Sequence, residues 1–179
     1  MAVWKYEDLP HYVYDDYEKW EGKWEIIFGI PYSKMPSPDM LHQKITGQII
    51  FQCATHLENC SDLEVILPID FKISEDTVVQ PDVSVLYSEK EDVAFVTRPP
   101  IIIFEILSDS SRKKDINLKY RIYEQARVNY YVIVDPVDKT SSVFQLDKGA
   151  YKLMLKTESG EFDFNIMPCP FKFDFGKIW

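Results

Sequence analysis

Residues 100–107 (Pro-Ile-Ile-Ile-Phe-Glu-Ile-Leu) and 129–135 (Asn-Tyr-Tyr-Val-Ile-Val-Asp) are apolar at almost every position. Runs of that length and composition predict strands covered on both faces. Upstream, residues 24–28 and 30–35 flank Gly29 and predict a hairpin-like pair. Pro36, Ser37 and Pro38 then break the chain. Asp39 is placed to cap a helix in which Ile45, Ile49, Cys53, His56 and Leu57 recur near helical spacing, and residues 59–62 end it. Strands follow near 63–73 and 78–87, separated by a turn at 74–77. Residues 108–111 form a loop, and Ser111 or Asp115 starts a helix that runs to about Ala126. Pro136 stops the strand at 129–135. The tail alternates as short strands at 142–146, 150–156 and 161–166. Residues 171–175 read as an edge strand that closes the sheet or pairs with a neighbour. Strands, one crossover helix and a further strand predict an α/β fold, a mixed β-sheet flanked by helices, in one domain over residues 1–179.

Composition agrees with one ordinary core. The chain has 179 residues, is 46% hydrophobic and carries 11 Tyr, 11 Phe and 4 Trp, which is too apolar and aromatic for a disordered chain. Residues 1–22 form an aromatic-rich arm with Trp4, Tyr6, Tyr12, Tyr14, Tyr17 and Trp20. That arm packs on its own domain or on a second subunit. No apolar run reaches the roughly 20 residues of a membrane span, and the N-terminus lacks the basic start and apolar core of a signal peptide. Cys53, Cys60 and Cys169 are odd in number and form no CxxC. Cys53 and Cys60 are too far apart along a helix to bridge, so the plain expectation is free thiols in a reducing cytoplasm.

A net charge of −9 argues against a broad phosphate-binding surface. The charge is local, however. Arg112, Lys113, Lys114, Lys119, Arg121 and Arg127 outnumber Asp115 and Glu124 in one short segment, while Glu7, Asp8, Asp15, Asp16, Glu18 and Glu21 gather in the N-terminal arm. A basic run is most often a solvated helix face. Here it directly follows an acid with unusual surroundings.

That acid is Glu105, inside the most apolar strand, and the preceding predicted strand, near 78–87, holds a second, Asp82. A carboxylate in such a strand is costly to desolvate unless a cation or hydrogen bonds receive it, and two in neighbouring strands repel. A divalent metal between them would resolve both costs. On this reading, replacing either acid by its amide leaves the metal-free fold intact or more stable. The plainer alternatives are a turn aspartate at Asp82 and a buried salt bridge to lysine at Glu105.

The order of short motifs resembles the Uma-two family. Trp24-Glu25-Ile26-Ile27-Phe28-Gly29, Met35-Pro36-Ser37-Pro38 and Leu41-His42-Gln43-Lys44-Ile45 come first. Val79-Gln80-Pro81-Asp82, Phe104-Glu105-Ile106-Leu107-Ser108, Asp115-x-x-x-Lys119 and Tyr130-Tyr131-Val132-Ile133-Val134-Asp135-Pro136 follow. No piece is specific alone; their order over residues 20 to 155 is. The resemblance implies a restriction-endonuclease-like fold of the PD-(D/E)xK superfamily. Asp82 then matches the aspartate of the PD motif and Glu105 the acid of the next strand. Leu107 stands where the superfamily has its lysine, and Lys119, one turn after Asp115, is the candidate replacement.

The implied activity is metal-dependent hydrolysis of phosphodiester bonds in DNA. Asp82, Glu105 and the Ile106 carbonyl would hold Mg²⁺ or Mn²⁺, and Lys119 would orient water and offset phosphate charge. Gln80, His42, Asp70, Asp115 and Ser108 are auxiliary candidates, and Arg112, Lys113 and Lys114 candidate phosphate contacts. His42 reaches the site or makes a structural hydrogen bond; Asp115 starts a helix or joins the ligands; Lys119 enters the site or stays in solvent. The superfamily also implies a homodimer that cuts both strands. The competing class is a catalytically inactive module that keeps the fold for binding or assembly, which the acidic total and the aromatic arm favour. No zinc spacing, P-loop, dinucleotide fingerprint or Gly-x-Ser-x-Gly elbow points elsewhere.

Overall fold

Two sheets and a C-terminal hairpin enclose two apolar cores in the computed structural model, which describes residues 10–34, 39–88 and 93–179. In chain order the elements are α1 Tyr14–Tyr17, β1 Trp24–Ile27, β2 Ile30–Ser33, α2 Met40–Leu57, β3 Leu63–Ile66, β4 Asp70–Ser74, β5 Thr77–Val79, β6 Val83–Tyr87, β7 Phe95–Val96 and β8 Ile102–Ile106. A π-helical segment, Lys114–Lys119, runs into α3 Tyr120–Gln125, followed by β9 Tyr130–Asp135, β10 Thr140–Asp147, β11 Ala150–Thr157, β12 Glu161–Phe164 and β13 Phe171–Asp174. One sheet has the order β11-β10-β9-β8-β6-β3, a second the order β2-β1-β5-β4-β7, and β12 pairs with β13. The mixed α/β fold expected from the apolar pattern is therefore present. β8 and β9 are parallel, and the π-helical segment with α3 is their crossover.

The apolar runs alternate between the two cores. Ile102, Phe104 and Ile106 face α2, packing with Ile45, Ile49, Val83, Val85 and Phe173. Ile103 and Leu107 face the opposite side, with Ile27, Phe71, Ile122, Tyr123 and Tyr131. Position 105 shares the parity of 103 and 107, so its carboxyl is delivered to the second core.

Several expected elements changed. The strand expected over 63–73 divides into β3 and β4, and that over 78–87 into β5 and β6, with the halves in different sheets. Pro68 and Pro81 sit in the breaks; neither has an N–H to continue a ladder. The hairpin at Gly29 forms, with Phe28 and Gly29 both at positive φ (53° and 74°) between paired Ile27 and Ile30, the geometry a tight two-residue turn requires. Residues 171–174 pair with β12 of the same chain instead of closing the main sheet. Residues 10–22 of the arm lie on their own domain. Tyr14 stacks edge-on against Phe95 at 5.0 Å, and Tyr17 donates to Asp70 at 2.9 Å. Trp4, Tyr6 and the Met35–Pro38 motif lie outside the described residues.

The cysteines overturn the expectation of three free thiols. Cys60 and Cys169 form a disulfide with Cα atoms 6.2 Å apart, and Cys53 alone is free and buried. Pattern reading fails here because the partners are 109 residues apart and meet only when the C-terminal hairpin folds onto α2. Two further contacts fix that docking. The Gln52 side chain exchanges hydrogen bonds of 3.1 Å each with the backbone N–H and carbonyl of Asp174, and His56 stacks on Phe171 at 5.5 Å. Because so long a loop is closed, Cys169→Ser is expected to lower stability by about 2–4 kcal/mol without reductant. Urea unfolding measures it, and reductant should bring wild type down to the level of the variant.

Candidate active site

Register brings the two predicted acids together. Val83 pairs with Phe104 and Ser84 with Ile103 across the antiparallel β6–β8 ladder. Extending that ladder by one residue sets Asp82 opposite Glu105. Asp82 lies one residue before β6, not within it, where its carboxylate can reach the neighbouring backbone. Asp82 Oδ2 accepts from the Ile106 N–H at 2.9 Å and from His42 Nε2 at 3.2 Å, and Lys34 Nζ is 3.8 Å from Oδ1. His42 projects from the first turn of α2, whose start is set by Asp39 accepting from the His42 N–H at 2.8 Å. Since a carboxylate only accepts, His42 carries its proton on Nε2 in this pair.

Burial works to raise the Asp82 carboxyl, but the His42 hydrogen bond and the Lys34 ammonium outweigh it and hold it below the ordinary range. This corrects the expectation that Asp82→Asn leaves the metal-free fold as stable or more so. The charge is received by two hydrogen bonds and a nearby ammonium, and the amide loses part of that stabilisation.

Glu105 behaves differently. Its Oε1 accepts from Lys119 Nζ and from the Tyr123 hydroxyl, both at 2.7 Å. Burial nevertheless raises it to about 8, and the Asp115 and Asp82 carboxylates push the same way against the opposing Lys119. Lys119 reaches the sheet from the π-helical segment and is 1% exposed. Opposed by burial, it is still driven well above its ordinary range by Glu105, Glu25 and Asp115. Asp115 Oδ1 is 3.6 Å from Lys119 Nζ, yet both Asp115 carboxylate oxygens are buried without a hydrogen-bond partner.

Glu25 is the residue that sequence reasoning missed. It is fully buried on β1, with Oε1 2.7 Å from Lys119 Nζ and accepting from the Gln80 N–H at 3.0 Å. Its other oxygen pairs with Lys114. Burial raises Glu25, but Lys119, Lys34 and Lys114 together bring it down to about 2. A signal was present: Glu25 is a lone acid in an apolar strand, as Glu105 is.

The other predicted residues are distributed unevenly. Gln80 follows β5, its side chain donating to Asp70 Oδ1 at 2.7 Å. Asp70 is thereby tied to Gln80 and Tyr17 and stands apart from the Asp82–Glu105 pair. Ser108 is held in a serine turn, with Ser111 Oγ 3.0 Å from its own Oγ. Arg112 grips Asp135 through two bonds of 2.6 and 2.7 Å, and Lys114 is engaged by Glu25, so of the three basic candidates Lys113 faces solvent. Asp82, Glu105, Ile106, Asp115 and Lys119 all line one cleft of about 620 Å³. Among the described residues, no three His, Cys, Asp or Glu side chains form a ready-made metal cage, and no helix is long and apolar enough to cross a membrane.

The raised Glu105 sets the direction of a pH effect. In the fold it keeps its proton up to about 8, whereas the unfolded chain releases it near 4.5. Its contribution to stability is therefore complete below that range and is lost as pH rises towards 8. Glu25 acts oppositely, losing its contribution as pH falls from the ordinary range towards 2. In chelator, the melting temperature of wild type should fall from about pH 5 to about pH 8, and Glu105→Gln should remove most of that fall. An equally steep profile in the variant would place the proton elsewhere.

Comparison with known proteins follows the same lines. A solved structure described as "a putative nuclease belonging to DUF820 from Anabaena variabilis ATCC 29413" superposes with a TM-score of 0.68, covering 79% of this chain and 83% of that one at 18% identity. At that identity the likeness establishes a shared fold. No curated protein matches the chain. The family model described as "Uma2: Putative restriction endonuclease" matches residues 13–163, a span holding Glu25, Asp82, Glu105 and Lys119, and the chain belongs to that family.

Proposed function

We propose that this protein is a metal-dependent endonuclease that hydrolyses phosphodiester bonds in DNA, with Asp82 and Glu105 as the metal-holding acids and Lys119 as the displaced lysine. The observation that carries this reading is the approach of Lys119. It leaves the crossover helix, enters a buried position 2.7 Å from Glu105, and lines the same cleft as Asp82. A surface lysine would do neither.

The donor set fits a hard divalent cation. It consists of carboxylates and backbone oxygen, and Asp115 offers two buried oxygens with no hydrogen-bond partner. Mg²⁺ is ordinarily held by one or two carboxylates with water and substrate oxygen, without a complete protein cage. Asp82, Glu105 and the Ile106 carbonyl would hold Mg²⁺ or Mn²⁺, with Asp115 as a further acid beside them. The ion supplies Lewis-acid polarisation of the phosphate. Lys119 stays protonated, since its pKa lies well above the ordinary range. Its part is thus to orient water and offset charge developing on the phosphate, not to remove a proton. His42 and the Ile106 N–H fix the Asp82 carboxylate, and the Tyr123 hydroxyl fixes Glu105.

Two measurements test this reading. Calorimetric titration of Mn²⁺ should show saturable binding to wild type that is lost in Asp82→Asn; no binding to wild type would favour the inactive, assembly-only alternative. Lys119→Ala should keep Mn²⁺ binding while nicking plasmid DNA at least about 100-fold more slowly. The same variant removes the cation 2.7 Å from the buried Glu25 carboxylate, so urea unfolding should register a loss on the order of 3–5 kcal/mol. Its activity is read well below its melting temperature, where unchanged nicking would remove Lys119 from the reaction.

A further inference from the structure

We propose that the groove on the far side of the His42–Asp82 pair is a nucleoside subsite, holding the sugar and base next to the phosphate under attack. This rests on the endonuclease reading above and adds to it where the substrate lies. A second cavity of about 280 Å³ shares His42, Pro68 and Asp82 with the main cleft, so the two adjoin at that pair. Their chemistry differs. The main cleft is lined by Lys34, Arg112, Lys114 and Lys119 as well as the acids. The groove is lined by Gln43, Thr46, Gly47, Leu67 and Pro68, and Asp82 at its mouth is its one ionised side chain among the described residues. A charged phosphate belongs in the first, and an uncharged flat group bonded to it belongs in the second. The volume lies just below the roughly 300 Å³ at which whole small-ligand pockets begin, as suits one part of a larger substrate.

Gly47 strengthens the case. It stands inside α2 with helical backbone, where glycine costs about 1 kcal/mol relative to alanine. The usual reasons for glycine are missing, because its φ is not left-handed and a Cβ built there would meet nothing within 4 Å. Gly47 is exposed on the rim of the groove, and a side chain placed there projects into that open space. Leu67, 55% exposed, lines the same groove with Pro68 and supplies apolar surface against which a base can lie. Thr46 lines the groove with its hydroxyl already engaged, donating to the His42 carbonyl at 2.8 Å.

Gly47→Leu fills the groove without touching Asp82, Glu105 or Lys119. The variant should melt no lower than wild type, since leucine favours the helix, and should bind Mn²⁺ as wild type does. Cleavage is then measured on oligodeoxynucleotides in which one abasic residue is moved along the strand. In wild type, an abasic residue at one position beside the cut bond should lower kcat/KM about tenfold, the loss of one base contact. Gly47→Leu should already be slowed about tenfold on the intact strand and should be indifferent to the abasic residue at that position. Equal cleavage by wild type and Gly47→Leu, with no position-dependent abasic effect, would overturn the subsite while leaving the endonuclease reading intact. Wild type that binds Mn²⁺ but cuts no strand would overturn both. A Gly47→Leu variant that changes only self-association, seen by sizing at unchanged cleavage, would assign the groove to a second copy and overturn the nucleoside.

Discussion

A single ammonium group, that of Lys119, joins the parts of this fold that carry the site. It lies between Glu25 of the second sheet and Glu105 of the first, 2.7 Å from each, and it arrives from the crossover helix that links β8 to β9. Burying a cation between acids is not an efficient route to stability, because desolvating the ions consumes most of the Coulombic gain. What such an arrangement offers is geometry, since misplacing any partner strands a charge in a dry interior. The two sheets and the helix are therefore held in one relative position by a contact that tolerates little error.

Four carboxyls, Glu25, Asp82, Glu105 and Asp115, face the ammonium groups of Lys34, Lys114 and Lys119 around the cleft. The surplus acid is expressed in Glu105, which burial keeps protonated near neutral pH. On the endonuclease reading proposed above, a bound divalent cation would take the place of that proton. The π-helical turn fits this picture. Widened turns place side chains off the ordinary helical face and recur at functional sites, and here the turn carries both Asp115 and Lys119 towards the sheet.

The opposite wall of the cleft depends on α2. Its N-terminus presents His42 to Asp82, and its far end is clamped to the C-terminal hairpin by Gln52, His56 and the Cys60–Cys169 disulfide. Residues beyond the family-matched span thus reach back to the site through a helix about 27 Å long. His42, Gln43, Thr46 and Gly47, one side of the apolar groove, lie on the same helix and are held by the same clamp.

Much of this was legible in the residues alone. The continuous apolar runs at 102–106 and 130–135, the Asp39 cap and the hairpin at Gly29 are local properties, decided by composition, sterics and hydrogen bonds within a few residues, and they appear where the pattern placed them. The anomaly of an acid within an apolar run marks Asp82 and Glu105 in the sequence itself. Applied to β1, it points equally to Glu25. The pairing of partners was not legible. Which cation neutralises Glu25, that Arg112 and Lys114 serve carboxylates, that Gln80 serves Asp70, and that Cys60 finds Cys169 are all contacts across long stretches of chain. Sequence patterns encode which face of an element is buried. What that face meets is decided by packing between elements, where desolvation and charge are settled among groups that only the tertiary structure brings together.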